Sequence, residues 1–290
     1  MDLILALGGG GARGNSHIGV LRRLEEEGFK IRAVAGSSFG GIVAAIYAAG
    51  YSPQEMEDIF SKVDQSRLYG HTPNDGPSLL GMAGVVRWLD DVLGGRTFDD
   101  LKIPCALTAV DLNSANEVVL RQGSLKEAVM ATIALPGIFP PRNMNGYQLV
   151  DGAVVDPVPV SVARSLLPGL PVAAVVLSPP LGKPSPEMLV PLPRVIPVPL
   201  VRRLTRMRVA QAFNIYLRSM EIGGRMLADL RLQLDDPEVI IRPDVAHINL
   251  LDQVDVRQVA LLGDQAVQAV LPELKHAVSW QSRLGRRLFG

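Results

Sequence analysis

The chain has 290 residues, 48% of them apolar and 20% charged, so it can build a large core and is too apolar for general disorder. Its 29 basic and 29 acidic residues balance, which argues against nucleic acid as a partner. The single Cys105 excludes an intrachain disulfide and a cysteine-based metal site, and the four histidines are scattered without ligand spacing, so no metal or cofactor is expected.

The start, MDLILALGGGG, lacks the basic residues and long apolar run of a secretory signal. No uninterrupted apolar run reaches the roughly 18 to 20 residues that span a bilayer. A soluble cytoplasmic protein is expected, with at most peripheral membrane contact.

LILAL (3–7) reads as a buried strand ended by glycines, and NSHIGVLRRLEEEG as a helix closed by Gly28. IRAVAG forms a second strand, followed by the helix GGIVAAIYAAG. Pro53 opens a further helix behind Ser52 and Glu55, a capping-box pair. CALTAVDL (105–112) and EVVLRQG (117–123) are strands, SLKEAVMATIA (124–134) is a helix, and YQLVDGA is a strand entering a turn. VAAVVL (172–177) reads as the last buried strand. Alternating strands and helices imply a mainly parallel sheet covered on both faces, in one unit spanning 1–178.

The proline-rich apolar arm at 179–201 differs, with eight prolines from Pro179 to Pro199 that forbid a spanning helix. Beyond it, 202–290 reads as a helical region packed on the first. An amphipathic helix over about 203–234 ends at Asp235-Asp236-Pro237, with Gly223–Gly224 as a bend, and a further helix spans 254–274.

Two glycine clusters carry the chemistry. Gly36-Ser37-Ser38-Phe39-Gly40 fits G-x-S-x-G, in which a strand turns sharply into a helix and exposes the central serine at the apex. The bland alternative is a helix N-cap. Gly8 to Gly14 follows the first strand, and its main-chain amides suit an anionic oxygen. Gly9, Gly11 and Gly14 also satisfy G-x-G-x-x-G, but the second strand ends without the acidic residue that would hold a ribose, so an oxyanion cradle accounts better for both clusters.

A serine needs a base. His247 or His276 would complete the chain order serine, acid, histidine, yet a nucleophile after the second strand is too early for the α/β-hydrolase fold. His17 reads as a local packing or capping residue. Asp151, between a strand and Gly152-Ala153, can take the proton directly if burial lifts it above the ordinary value of about 3.9. Asp156, in DPVPV, is the alternative and reads as part of a structural turn.

Together these residues resemble the patatin-like phospholipases, serine lipid acyl hydrolases with a Ser–Asp dyad. Four blocks match in order: GGGARG (9–14), GSSFG (36–40), ATIALPGIFPP (131–141) and Asp151-Gly152-Ala153. Thr132 stands where the family commonly has serine. The resemblance covers about residues 3–178 and implies a three-layer α/β/α fold with a mainly parallel sheet, extended by C-terminal helices. It implies Ser38 as nucleophile, Asp151 as base, and Gly36 and Gly40 as flanks of the elbow. Gly9, Gly10, Gly11, Arg13 and Gly14 then form the oxyanion loop, and no metal is needed. The implied substrate is a phospholipid or lysophospholipid. Alternatives are a carboxylesterase for short soluble esters and a non-catalytic lipid-binding protein.

Leu189, Val190, Leu192, Val195 and Ile196, with Arg202, Arg203, Arg206 and Arg208, suggest a lid facing an anionic membrane. The competing reading is that the apolar residues finish the core or a contact in a homo-oligomer.

Overall fold

The structure, a computed structural model, describes residues 1–72, 76–182 and 208–279. The proposed lid residues 184–200 and Arg202, Arg203 and Arg206 lie outside them, and of Arg208 only the backbone is described.

An eight-stranded sheet forms the middle layer. Its strands are β1 (Asp2–Leu7), β2 (Lys30–Ser37), β3 (Cys105–Asp111), β4 (Glu117–Leu120), β5 (Arg142–Met144), β6 (Tyr147–Asp151), β7 (Val172–Val175) and β8 (Val239–Ile241). Across the sheet they run β5-β6-β3-β2-β1-β7-β8, with β4 also paired to β3. The stretch from β3 to β8 is parallel; β4, β5 and β6 add antiparallel pairings at one end.

The helices are α1 (Ser16–Glu26), α2 (Phe39–Ala48), α3 (Pro53–Ser61), α4 (Ala83–Leu93), α5 (Leu125–Thr132), α6 (Val160–Leu166), α7 (Arg208–Asp235), α8 (Val256–Ala269) and α9 (Leu271–Ala277). Alternation along β1 sorts them into two layers. Leu3, Leu5 and Leu7 face a core built with α1, α2, α5 and α8, whereas Ile4 and Ala6 face one built with Val160, Val162 and Ala163 of α6 and Leu232 of α7.

The caps behave as their residues dictate. Gly28, just past α1, takes φ +81°. At α3, Ser52 Oγ accepts the Glu55 N–H at 3.3 Å while the Glu55 carboxylate accepts the Ser52 N–H at 2.8 Å. Asp236, at φ +42°, turns the chain out of α7 ahead of Pro237.

Several elements differ from expectation. Val172–Val175 is not the last strand, because β8 adds a parallel neighbour to it from the C-terminal region. That strand has three residues, too few to show a period. The proline-rich DPVPV leads into a helix, since Pro159 sits just before α6, where its missing N–H costs nothing. The single helix expected over 254–274 is two, parted at Val270. Helix α7 runs through Gly223–Gly224 as one element.

Candidate active site

Sheet register brings the two chemical residues together. Ser37 pairs with Thr108 across β2 and β3, and Ala109 pairs with Asp151 across β3 and β6. Ser38 and Asp151 therefore sit at the same end of the sheet, with β3 between them.

Ser38 lies between β2 and α2 with φ +54° and ψ −130°, a strained conformation for a residue with a Cβ. It occupies the N-cap position of α2, yet its hydroxyl makes no capping bond. Instead Ser38 Oγ donates to Asp151 Oδ2 at 2.6 Å. The Ser38 N–H is held by Thr132 Oγ1 at 3.0 Å, a contact the sequence did not announce beyond the A-T-x-A-x-P block. Two glycines make the bend feasible. A Cβ on Gly36 would lie 2.4 Å from Gly40 O, and one on Gly40 would lie 2.2 Å from Leu7 O. Ser37, the neighbour, is fully buried and does not line the cavity above.

Asp151 is buried, and its other oxygen, Oδ1, accepts the Ala153 N–H at 2.9 Å. Burial lifts its carboxyl to about 7, against the opposing pull of the hydrogen bonds from Ser38 and Ala153. Gly152 is required behind it, since a Cβ there would come within 2.4 Å of Thr108 O.

The glycine loop separates into anchors and open donors. The Gly8 N–H bonds Val175 O at 3.0 Å, the Gly9 N–H bonds Pro157 O at 3.0 Å, and the Ala12 N–H bonds Leu250 O at 2.8 Å. The Arg13 amide turns back to Gly10 O at 3.3 Å, and its guanidinium Nε donates to Ile248 O at 2.6 Å. Gly9 and Arg13 thus fix the loop, while Gly14 makes room for the Phe39 ring, which a Cβ would meet at 2.2 Å. Among the described residues the amides of Gly10 and Gly11 have no acceptor, nor does that of Phe39, next to the serine.

Among the described residues no histidine lines this site. His17 is buried, its Nε2 donating to Gly8 O at 2.8 Å, and burial depresses it to about 4, so it stays neutral and packs the loop. Asp156 is buried near Arg231, 3.7 Å away, and does not reach the cavity. His247 and His276 lie away from it as well.

Ser38 and Asp151 open onto a cavity of about 590 Å³. Its walls are largely apolar, with Phe60, Met82, Trp88 and Phe139 on one side and Leu217 and Met220 of α7 on another. Polar groups gather at Arg13, Glu221 and Arg225. Among the described residues, no cluster of histidine, cysteine or acidic side chains is arranged to hold a metal ion.

A serine on a strand-to-helix elbow, set directly against a buried carboxylate in a three-layer α/β/α fold, delimits a narrow class among α/β proteins. The chain belongs to the patatin-like phospholipase family, whose model matches residues 5–164. It is 35% identical over 158 residues to an uncharacterized NTE family protein of Mycobacterium tuberculosis, covering 54% of this chain and 44% of that protein. It is 32% identical over 171 residues to human patatin-like phospholipase domain-containing protein 6, covering 57% of this chain and 12% of that protein. The chain thus spans less than half the length of these relatives. Among solved structures, VipD from Legionella pneumophila shares the fold with a TM-score of 0.55 at 13% identity, over 94% of this chain and 66% of that one. No helix of the described residues is long and apolar enough to cross a membrane.

Proposed function

We propose that the chain is a serine acyl hydrolase that cleaves a carboxylic ester bond of a phospholipid or lysophospholipid. The observation that carries this reading is the 2.6 Å hydrogen bond from Ser38 Oγ to Asp151 Oδ2 at the mouth of an apolar cavity. Ser38 Oγ attacks the acyl carbonyl carbon while its proton passes to Asp151. The negative charge that develops on the carbonyl oxygen is met by the amides of Gly10 and Gly11, with the N-terminal end of α2 adding partial positive charge. Collapse breaks the ester bond, and the departing alkoxide takes the proton from Asp151. Water then attacks the acyl-enzyme, again through Asp151, releasing the fatty acid and restoring Ser38.

An Asp at its ordinary value would be a weak base for a hydroxyl; the shift to about 7 brings it near working pH. The apolar walls suit an acyl chain and favour long-chain over short-chain esters.

The test is direct. A labelled fluorophosphonate should modify Ser38 in the native chain and leave Ser38→Ala unlabelled. Asp151→Asn should lower kcat by about 10³-fold or more, by analogy with loss of a base in other serine hydrolases. Equal ester turnover by Ser38→Ala would reject the proposal. A profile of p-nitrophenyl esters that favours acetate over long chains would assign the chain to short soluble esters instead.

A further inference from the structure

The cavity above Ser38 has two unlike linings. On one, Glu221 is shared by Arg13, 3.4 Å away, and Arg225, 3.6 Å away, and the Asp252 carboxylate also acts on Arg13. The other comes from α2, α3 and α4, which contribute Phe39, Ile42, Phe60, Val85 and Trp88 and no charged residue. Three of these side chains form a row. Phe39 directly follows Ser38; its ring centre lies 5.9 Å from that of Phe60, which lies 5.2 Å from that of Trp88. Phe60 is buried and Trp88 half-buried, so the row starts beside the nucleophile, runs through the interior and ends at an indole near the surface. The Phe60 and Trp88 planes stand 86° apart, edge against face, a setting that holds the last ring in place.

A carboxylic ester held at Ser38 has an apolar half and a polar half to place. Laid on the charged lining, a hydrocarbon chain would strip water from Arg13, Glu221 and Arg225 and offer no hydrogen bond in return. Laid along the aromatic row, each methylene is buried against carbon. We infer that the acyl chain lies along Phe39, Phe60 and Trp88, and that Trp88 sets the chain length the site accepts. A chain that ends short of the indole is fully seated. A longer one presses on it and must bend away from the row. As a determinant of turnover this rests on the hydrolase reading; as a seat for the chain it is measurable apart from it.

The experiment compares the full chain with Trp88→Ala, Trp88→Leu and Trp88→Phe on saturated p-nitrophenyl esters of increasing length. In the parent, kcat/KM should climb with length to a limit and then fall. Trp88→Ala should move that limit to longer chains. The ratio of kcat/KM for a chain just beyond the parent's limit to one just short of it should rise about tenfold or more. Each ratio is taken within one preparation, so a partial loss of folded protein cancels. Trp88→Leu and Trp88→Phe keep the place apolar and better filled and should move the limit less. An unchanged ratio in Trp88→Ala would overturn the inference. So would a limit moved by Met220→Ala instead, which would lay the chain along α7. A second measurement needs no catalysis. In Ser38→Ala/Trp280→Phe, Trp88 is the only indole. Laurate brominated at its methyl end should quench that fluorescence more than laurate brominated beside its carboxyl group; equal quenching, or none, would overturn the inference too. Quenching in the expected order without turnover by the Ser38-containing chain would reject the hydrolase reading alone. Turnover with neither the shift nor the quenching would reject the role of Trp88 alone.

Discussion

The buried Arg13 and the partly buried Glu221 meet as an ion pair, guanidinium Nη2 to carboxylate Oε1 at 3.4 Å, and so tie the glycine loop to helix α7. Burial works against the Arg13 charge, and Glu221 is the main group that offsets it. Glu221→Gln should therefore leave a charge in the interior with weaker support. Breaking such a pair from one side typically costs about 3–5 kcal/mol, here tempered by the remaining bond to Ile248 O. Chemical denaturation should show the loss, and kcat should fall with it as the loop loosens. Replacing both partners, as Arg13→Met/Glu221→Met, should recover much of the stability without recovering the rate. A Glu221→Gln variant as stable and as active as the parent would show that the pair does not hold the loop.

Thr132 Oγ1 is the acceptor for the Ser38 N–H, so it fixes the strained elbow from behind. Thr132→Val keeps the volume and leaves that amide without its partner, a cost of about 1–3 kcal/mol. The expected result is a drop in kcat of about tenfold or more with KM little changed, the mark of an interaction that positions the nucleophile. Thr132→Ser restores the oxygen and should restore the rate.

Activity and stability should respond to pH in opposite directions around the dyad. Asp151 folds with its carboxyl at about 7, above its ordinary value, so the native state favours the protonated form. Its contribution to stability is fully present below pH about 4 and is lost as pH rises through about 7. The size is on the order of 4 kcal/mol. Asp156, also lifted to about 7 by burial and then by Glu117, acts in the same sense. His17, depressed by burial to about 4, acts in the other: its contribution is present above about 6.5 and is lost as pH falls through about 4. Hydrolysis needs the Asp151 carboxylate, so kcat/KM should climb through pH 7 to a plateau. Asp151→Asn should be inactive yet more stable than the parent at pH 8, with little gain at pH 5, by urea denaturation. A parent rate that is flat from pH 5 to 8 would contradict the role of Asp151.

Glycines at two places should answer alanine in opposite ways. At Gly40, in the first turn of α2, a Cβ would strike Leu7 O of β1 at 2.2 Å, a backbone atom held in the sheet, so Gly40→Ala should prevent the elbow from closing and abolish activity. Gly223 stands in α7 with no atom within 4 Å of the place an added methyl group would take. Gly223→Ala should raise stability by about 0.5–1 kcal/mol, seen as a higher denaturation midpoint.

The half of the fold that surrounds the dyad was legible because its signals are local. Strand, glycines, serine and helix follow one another directly at 34–45, and Asp151-Gly152-Ala153 stands at the end of an apolar run. What escaped was set by distant partners. Strand β8 exists because β7 offers it an edge, and three residues leave no pattern of their own. Within the glycine loop, spacing could not separate Gly10 and Gly11, whose amides are open, from Gly9 and Arg13, whose amides are taken by Pro157 O and Gly10 O. The contact of Thr132 with the elbow spans 94 positions in the chain and has no local sign.

The family-matched stretch ends at residue 164, before either β7 or β8 begins. A chain shortened to that stretch would keep every group named for the reaction and lose β7, which flanks β1 on one side, and β8 beyond it, baring a row of main-chain donors and acceptors along β1 to any passing copy. Preparations trimmed to that half should therefore clump rather than hydrolyse: the portion that holds the chemistry is not the portion that can stand alone.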